Sequence, residues 1–542
     1  MALPFQIINN YRLGEELGEG HFGQVYKAQH IHLANRIGAI KLLHMRMNTE
    51  KERDKFLDEA RILGRFTHPH ILPILDVGIQ EGTPYMITEF ASGGSLRDRL
   101  RKAGTQLLPF EESLLILRQI AEALHEAHQQ KVVHRDLKPE NILFHANGNA
   151  LLADFGISTI LSTQSITTTT IAGTPPYMAP EQFKGHVSKE SDQYALGCIA
   201  YELLTGHKPF TAPDFFSMGI KHMTEAPPPP TQFNPHLPTD ISQAILKAMD
   251  KDRHQRFPDV LDFVNALDID YLKKGNTLYK QQQYKKALET YEQALQLYSD
   301  QQVSFAAQTG KYIVLYRFKR YQEALNSCEQ ALKLKPDDWT AHYNKGLILD
   351  DLQRHQDALN AYTSAVQLNP NAIDAHNNQG IILKKLGQHE DALAAHERAI
   401  QAQPNNATAH YHKGQILYYL KRYEEALNAY VQAILLNPSQ ATAYNHQGVI
   451  LYTLKRYEKA LTSYEQALRL RPDYPAAHNN MGSVLNDLKR YQDALNAYEK
   501  AIHIDPQYAT AFYNKSIVLQ NLHRDTEALQ AEQTAQRLGY KE

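Results

Sequence analysis

Residues Val132 to Asn141 read Val-Val-His-Arg-Asp-Leu-Lys-Pro-Glu-Asn, a short apolar strand running into a polar loop. The loop carries an acid at Asp136, a lysine at Lys138 and an amide at Asn141. Phosphoryl transfer from ATP to a hydroxyl needs these three kinds of group together. The acid accepts or orients the hydroxyl proton, the lysine neutralises charge on the moving group, and the amide oxygen suits a magnesium ion. A His-Arg-Asp triplet alone is weak evidence, so the elements around it must decide what it does.

Leu17-Gly18-Glu19-Gly20-His21-Phe22-Gly23-Gln24-Val25 is a glycine-rich turn between two strand-like runs. Its glycines let backbone amides approach phosphates without side-chain clash. A dinucleotide-binding turn has similar glycines but requires a helix after them. Here Gln24 to Ala28 alternates as a strand does, which favours a hairpin over a nucleotide. Lys41 follows in a second strand-like run, Ala39-Ile40-Lys41, and Asp154-Phe155-Gly156 follows the short apolar run Leu151-Leu152-Ala153. In this order the segments resemble the eukaryotic-like protein kinase family. The lysine two residues after Asp136 marks the Ser/Thr form.

The resemblance implies a bilobal α+β kinase fold over residues 11–267. It implies that Leu17, Gly18, Glu19, Gly20, His21, Phe22, Gly23, Val25 and Ala39 cover ATP, and that Lys41 grips its α- and β-phosphates. Glu59, on the helix spanning Glu50 to Arg65, is the partner expected for Lys41, with Asp58 the competing neighbour. Thr88 becomes the gatekeeper beside the adenine, and the backbone of Glu89 and Ala91 its hinge. Asp154 and Asn141 become the ligands of Mg2+ or Mn2+. Oxygen donors are what such hard cations prefer.

The same family supplies further expectations. Residues Ile157 to Pro180 form the activation segment, and Arg135 receives a phosphate placed on it. The candidates are Thr167, Thr168, Thr169 and Thr170, since phosphorylation adds nearly two charges and can order a loop. Thr174 seats the acceptor, Glu181 pairs with Arg256, and Asp192 braces the catalytic loop from a helix that is apolar nearly all round. Pro227 to Pro230 is readable as a polyproline ligand, but a stiff connection between helices is the favoured reading.

The second half repeats itself. Gly346, Gly380, Gly414, Gly448 and Gly482 recur every 34 residues, and Ala358 to Ala528 and Pro336 to Pro506 recur likewise. Small residues at fixed places let two helices approach, tyrosine and leucine fill the seam, and proline stops the second helix. The unit resembles the tetratricopeptide repeat. This predicts an all-α solenoid over 268–542 with eight repeats: 268–301, 305–338, 339–372, 373–406, 407–440, 441–474, 475–508 and 509–542. Tyr312 occupies the glycine slot of the second repeat, so displacement of its first helix is expected there. Ser516, Glu532 and Tyr540 make the last repeat a polar cap.

Such arrays bind proteins or peptides. Asn344, Asn378, His412, His446, Asn480 and Asn514 share the sixth slot, on the inner face of the first helices. They are either a ladder for an extended peptide backbone, like the one in O-linked GlcNAc transferase, or simply the common residue at that slot. The junction Leu261 to Tyr271 has no Gly/Ser/Pro linker, which predicts that the first repeat stacks on the preceding domain.

Composition bounds the rest. The chain has 542 residues, 43% hydrophobic and 21% charged, with a net charge of −2. No global field points to nucleic acid or an anionic membrane. No apolar run is long enough to span a bilayer, and Met1 to Asn10 does not read as a secretory signal. Cys198 and Cys328 are the only cysteines, which fits a reducing cytoplasm. The 26 histidines lack metal-ligand spacing. The function read from the sequence is an ATP-dependent Ser/Thr protein kinase in signalling, with repeats that recruit substrates or regulators. The rival is a nucleotide-binding repeat scaffold whose kinase half is self-inhibited or mainly structural. Repeats fused directly to a soluble kinase of this style have a bacterial look.

Overall fold

The computed structural model describes residues 6–20, 23–33, 35–64, 66–155 and 175–541, excepting the side chains of Glu59, Ile62 and Leu63. Contacts divide the chain into two units, 1–307 and 308–542.

The first unit opens with a six-stranded antiparallel sheet in the order β1-β2-β3-β4-β6-β5. The strands are β1 (Ile7–Ile8), β2 (Tyr11–Gly20), β3 (Gly23–His30), β4 (Ile37–Leu43), β5 (Ile74–Gln80) and β6 (Thr83–Glu89). Helix α1 (Glu50–Leu63) lies between β4 and β5 and buries Phe56. Strands β2 and β3 close with Gly20 opposite Gly23, and irregularities between Leu13 and Gly18 bend β2. A Cβ on Gly23 would stand 2.0 Å from the Leu42 carbonyl oxygen, so close strand approach requires glycine there. Among the described residues, nothing lies within 4 Å of a Cβ on Gly18.

Below the sheet lie α2 (Leu96–Ala103), α3 (Phe110–Gln129), the hairpin β7 (Ile142–Phe144) and β8 (Ala150–Leu152), and α4 (Lys189–Thr205). Ser95 starts α2 through a capping box with Asp98. Along α3, Leu114, Leu117, Ile120, Ala121 and Leu124 are buried at helical spacing, as one apolar stripe requires. Every residue of α4 from Ser191 to Thr205 is buried, so this helix is central. The 227–230 stretch packs as a loop: the Pro228 carbonyl accepts from the Tyr201 hydroxyl at 2.9 Å, and Pro230 is buried.

The helix Val260–Leu267 ends before the repeats, and Asp270 then caps a new helix, Tyr271–Lys280, accepting from the Lys273 amide. The chain therefore breaks at 268–270 instead of continuing as one helix. The first repeat nonetheless shares the core of the first unit. Tyr271 and Leu297 are buried in the same cluster as Leu117 and Phe263. The Tyr271 hydroxyl donates to Asp240 at 2.6 Å, Lys274 reaches the same carboxylate at 2.8 Å, and Arg118 pairs with Asp268.

The second unit is a series of helical hairpins, such as Trp339–Asp351 with His355–Leu368 and Ala441–Thr453 with Tyr457–Leu470. The reason for the glycine period is visible in each seam. A Cβ on Gly346 would meet the Tyr362 ring at 2.5 Å, and one on Gly448 the Tyr464 ring at 2.6 Å. The second repeat solves the same problem in reverse. Tyr312 sits in the glycine slot, Cys328 takes the aromatic slot, and both are buried. The ring has moved from the second helix to the first. That helix, Gln301–Arg317, runs longer than the first helices that follow it.

Periodic histidines are accounted for locally. The Nε2 groups of His342, His376, His410 and His478 lie 2.9–3.1 Å from the carbonyls of Pro336, Pro370, Pro404 and Pro472. Each ties the start of one repeat to the proline that ended the last.

Candidate active site

The catalytic loop is held from below by α4. Both oxygens of the buried Asp192 carboxylate accept backbone amides, His134 at 2.8 Å and Arg135 at 2.9 Å, and His128 Nε2 stands 2.8 Å away. Burial alone would push Asp192 up. The His128 hydrogen bond, the His128 and His134 imidazoles and the His134 amide outweigh it and hold the carboxyl below its ordinary range. Arg135 takes a left-handed backbone, φ 73°, which a non-glycine residue holds only where the surroundings enforce it. Gln182 adds a bond to the Arg135 carbonyl at 2.8 Å.

Thus fixed, the loop gathers its polar groups around Asp136. Lys138 Nζ donates to Asp136 Oδ2 at 2.7 Å. Asn141 Nδ2 donates to the Asp136 carbonyl at 2.8 Å, which leaves Oδ1 as the atom Asn141 can offer a cation. The Asn141 carbonyl accepts from the Ala153 amide at 2.8 Å, joining the loop to the strand that carries Asp154. Asp154 is also left-handed, φ 61°, and its carboxylate meets Lys41 Nζ at 2.7 Å. Behind it Phe155 is buried, its ring 4.9 Å from that of His134 and 5.9 Å from that of Phe66.

Lys41 and Asp154 thus meet across the cleft between the sheet and the helical part. The Lys41 partner expected on α1, Glu59, has its side chain outside the described residues. So do His21, Phe22, the candidates Thr167 to Thr170, and Thr174. Val25, Ala39, Thr88 and Leu143 are half-buried along the cleft, and Leu72, Leu151 and Ala153 pack behind it with Ala91. Leu17 is exposed at its edge. At the hinge the Glu89 amide already donates to the Pro73 carbonyl at 3.0 Å, so a purine edge would find its amide donor at Ala91.

Donor chemistry fits a divalent cation at Asp154 and Asn141. These are a carboxylate and an amide oxygen, with a lysine placed to bind phosphate beside them. Among the described residues, no three His, Cys, Asp or Glu side chains form a metal cage alone. Two protein oxygens with a triphosphate are the usual way magnesium is held.

Further down, Glu181 and Arg256 form a bidentate pair at 2.8 and 2.9 Å, with the guanidinium fully buried. Arg256 also donates to the Glu190 and Asp250 carbonyls, so all three of its nitrogens are bonded inside the protein. Sequence reasoning did not find Arg97, which lies buried against Glu140, Glu202 and Tyr177. No local pattern marks it, because its partners are 43, 105 and 80 residues away.

In the repeats, the sixth-slot asparagines bond to the preceding repeat. Asn344 donates to the Tyr312 hydroxyl, Asn378 to that of Tyr343, Asn480 to Asn445 and Asn514 to Asn479, at 2.9–3.3 Å. The amide nitrogens therefore serve repeat stacking, and the side chains remain half-buried. His412 stacks on His396 with ring centroids 5.4 Å apart, and His446 on Tyr430 at 5.7 Å.

Residues 11–272 match the protein kinase domain. Residues 270–301 and windows between 311 and 539 match the tetratricopeptide repeat. The chain is similar to the serine/threonine-protein kinase PrkC of Bacillus subtilis (strain 168), 35% identical over 296 residues, covering 53% of this chain and 45% of PrkC. It is similar to the serine/threonine-protein kinase PknB of Mycobacterium leprae (strain TN), 34% identical over 269 residues, covering 47% of this chain and 42% of PknB. Among solved structures it is similar to the Mycobacterium tuberculosis PknI kinase domain, with 28% identity and a TM-score of 0.40, covering 49% of this chain and 99% of that one. The chain spans less than half the length of the curated relatives it matches. Residues 11–272 are thus a protein kinase domain, similar to those of bacterial serine/threonine-protein kinases, and tetratricopeptide repeats follow it.

Proposed function

We propose that this protein transfers the γ-phosphoryl group of ATP to serine or threonine hydroxyls of other proteins, and that its repeats recruit those proteins or their regulators. The observation that supports this most is the convergence at one cleft of Lys41 with Asp154 and of Asp136 with Lys138 and Asn141. Their side chains come from three separate stretches of chain, around Lys41, Asp136 to Asn141, and Asp154.

Lys41 binds the α- and β-phosphates once nucleotide enters, exchanging its bond to Asp154 for bonds to phosphate. Gly18 leaves room for a phosphate to approach the β2–β3 hairpin, and the Ala91 amide orients the purine. Asp154 and Asn141 would hold Mg2+ or Mn2+, which when bound would screen the phosphate charge. Asp136 orients the acceptor hydroxyl and takes its proton as the new O–P bond forms and the bond to ADP breaks. Lys138, 2.7 Å from Asp136, stabilises negative charge on the transferring group. Asp192 keeps the loop in this shape before substrate arrives.

Regulation through the activation segment belongs to this reading. Arg135 would receive a phosphate on one of Thr167 to Thr170, and Thr174 would seat the acceptor. A cytoplasmic location is supported by two buried free thiols and by the fact that no described helix is long and apolar enough to cross a membrane. The domain boundary we propose remains at 267/268. The scaffold alternative is disfavoured because Lys41, Asp136, Lys138, Asn141 and Asp154 are all in place. The test is label transfer from magnesium-ATP by the full chain beside Asp154→Asn. Transfer by the wild type and its loss in the variant supports the reading, and equal labelling of both refutes it.

A further inference from the structure

We propose that Arg97 is a positioning residue for the acceptor, locking the segment that seats the acceptor to the loop that performs the transfer. This rests on the kinase reading above.

Arg97 lies in the first turn of α2, its side chain only 12% exposed. Its Nε donates to Glu140 at 2.7 Å. Nη1 and Nη2 donate to the two oxygens of Glu202 at 2.8 and 3.4 Å, and Nη2 donates to the Tyr177 hydroxyl. That hydroxyl in turn donates to Glu202 at 2.6 Å. Lys208 stands 5.8 Å from the Tyr177 ring centroid. All five donors of a guanidinium lie in one rigid plane, so a single side chain can hold three partners in a fixed mutual geometry.

The identity of those partners suggests the role. Glu140 stands between Lys138 and Asn141 on the catalytic loop. Tyr177 comes three residues after Thr174, at the end of the segment expected to seat the acceptor. Glu202 is on α4, the helix whose Asp192 holds the loop amides. Arg97 is therefore a direct bridge between the transfer loop and the acceptor segment, beside the one Gln182 makes from Ala179 to Arg135. Buried ion clusters are poor sources of stability, since apolar groups of similar volume often do as well or better. A cluster that joins these segments in particular is better explained by the geometry it imposes. Phosphoryl transfer depends on in-line placement, and a shift of about 1 Å can cost about a hundredfold in rate. Glu140 is the exposed edge of the cluster, 43% open, so the clamp borders the solvent from which an acceptor arrives.

The test uses the full chain. Steady-state constants for casein as acceptor and for ATP are measured for wild type, Arg97→Lys and Tyr177→Phe, with thermal unfolding alongside. Arg97→Lys keeps the charge but loses the fork, and Tyr177→Phe loses one hydroxyl with the ring retained. The clamp predicts that kcat/KM for the acceptor falls about 10- to 100-fold in each variant while the ATP constant stays within about twofold. A merely structural role lowers the unfolding temperature and leaves both constants unchanged, which overturns the proposal. So does an equal fall in the acceptor and ATP constants. If wild type labels neither casein nor itself, the kinase reading fails and the clamp with it. If wild type labels and the variants match it, the clamp alone fails.

Discussion

In the second repeat the seam is inverted, and this can be tested by inverting it back. Tyr312→Gly removes a ring that is only 2% exposed and inserts glycine into a helix. Loss of a buried aromatic costs about 3–5 kcal/mol, and a mid-helix glycine adds up to about 1 kcal/mol. Cys328→Tyr alone puts a second ring into a seam already filled by Tyr312, an overpacking worth about 1–3 kcal/mol. Together the changes recreate the arrangement of Gly346 with Tyr362, where the glycine exists to admit the ring. The double variant loses the Asn344 bond to the Tyr312 hydroxyl and the Cys328 bond to the Ala341 carbonyl, at about 1 kcal/mol each. It should still be more stable than Tyr312→Gly by about 2 kcal/mol or more. Hydrogen exchange of amides in 308–350 is the assay of choice, because a chain of two units does not unfold in one step. Additive destabilisation, with the double variant worse than either single one, would refute the exchange of roles between these two positions.

Three further outcomes follow from named contacts. His396 takes the aromatic slot of its repeat, and burial pushes it down to about 3, with His412 and Lys384 adding to the effect. The unfolded imidazole binds protons below about pH 6.5 while the buried one does not, so stability falls as pH drops from about 6.5 toward 3, by up to about 1.4 kcal/mol per pH unit. His396→Tyr should flatten that slope in the second unit; an unchanged slope would assign it to His376, His412, His446 and His478, which burial also holds low. A chain ending at 267 loses Tyr271 and Leu297 from a shared core, about 1.5–3 kcal/mol for each large side chain, so it should melt well below a chain ending at 307; equal melting would mean the first repeat contributes nothing to that core. Gly23→Ala should destabilise the sheet, since its Cβ meets the Leu42 carbonyl at 2.0 Å, whereas Gly18→Ala should leave melting intact and weaken ATP binding; the reverse pattern would remove Gly18 from the nucleotide site.

The glycine turn, Lys41, the catalytic loop and Asp154 were legible because each is a short contiguous stretch whose chemistry is set by local spacing. Asp192, Glu181 and Arg256 were read through family resemblance, and the structure puts them in buried hydrogen-bonded positions. The repeat period was legible because glycine and the facing tyrosine lie 16 residues apart in every unit that keeps the pattern, as with Gly346 and Tyr362. What escaped were relations between distant residues of ordinary type. Tyr312 was visible as a departure, but its compensation by Cys328 depends on which helix supplies the ring. Arg97 is one charge among several in Arg97-Asp98-Arg99, and nothing local marks it. For the sixth-slot asparagines the period left two readings open, a peptide ladder or the slot's common residue, and it did not show that their amides reach the neighbouring repeat. Side-chain direction, not position in the period, decided that.

The proposal that the cleft between sheet and helices transfers phosphate, with Asp136 as the base that takes the acceptor's proton, is open to a direct test. The most direct test is incorporation of labelled phosphate by the purified full chain with magnesium-ATP, beside Asp136→Asn, followed by mapping of the labelled residues. Label is expected on serine or threonine in the wild type and absent in the variant, with ATP binding retained in both. Equal labelling of the two proteins, or ATP bound by the wild type with no label transferred, would contradict it.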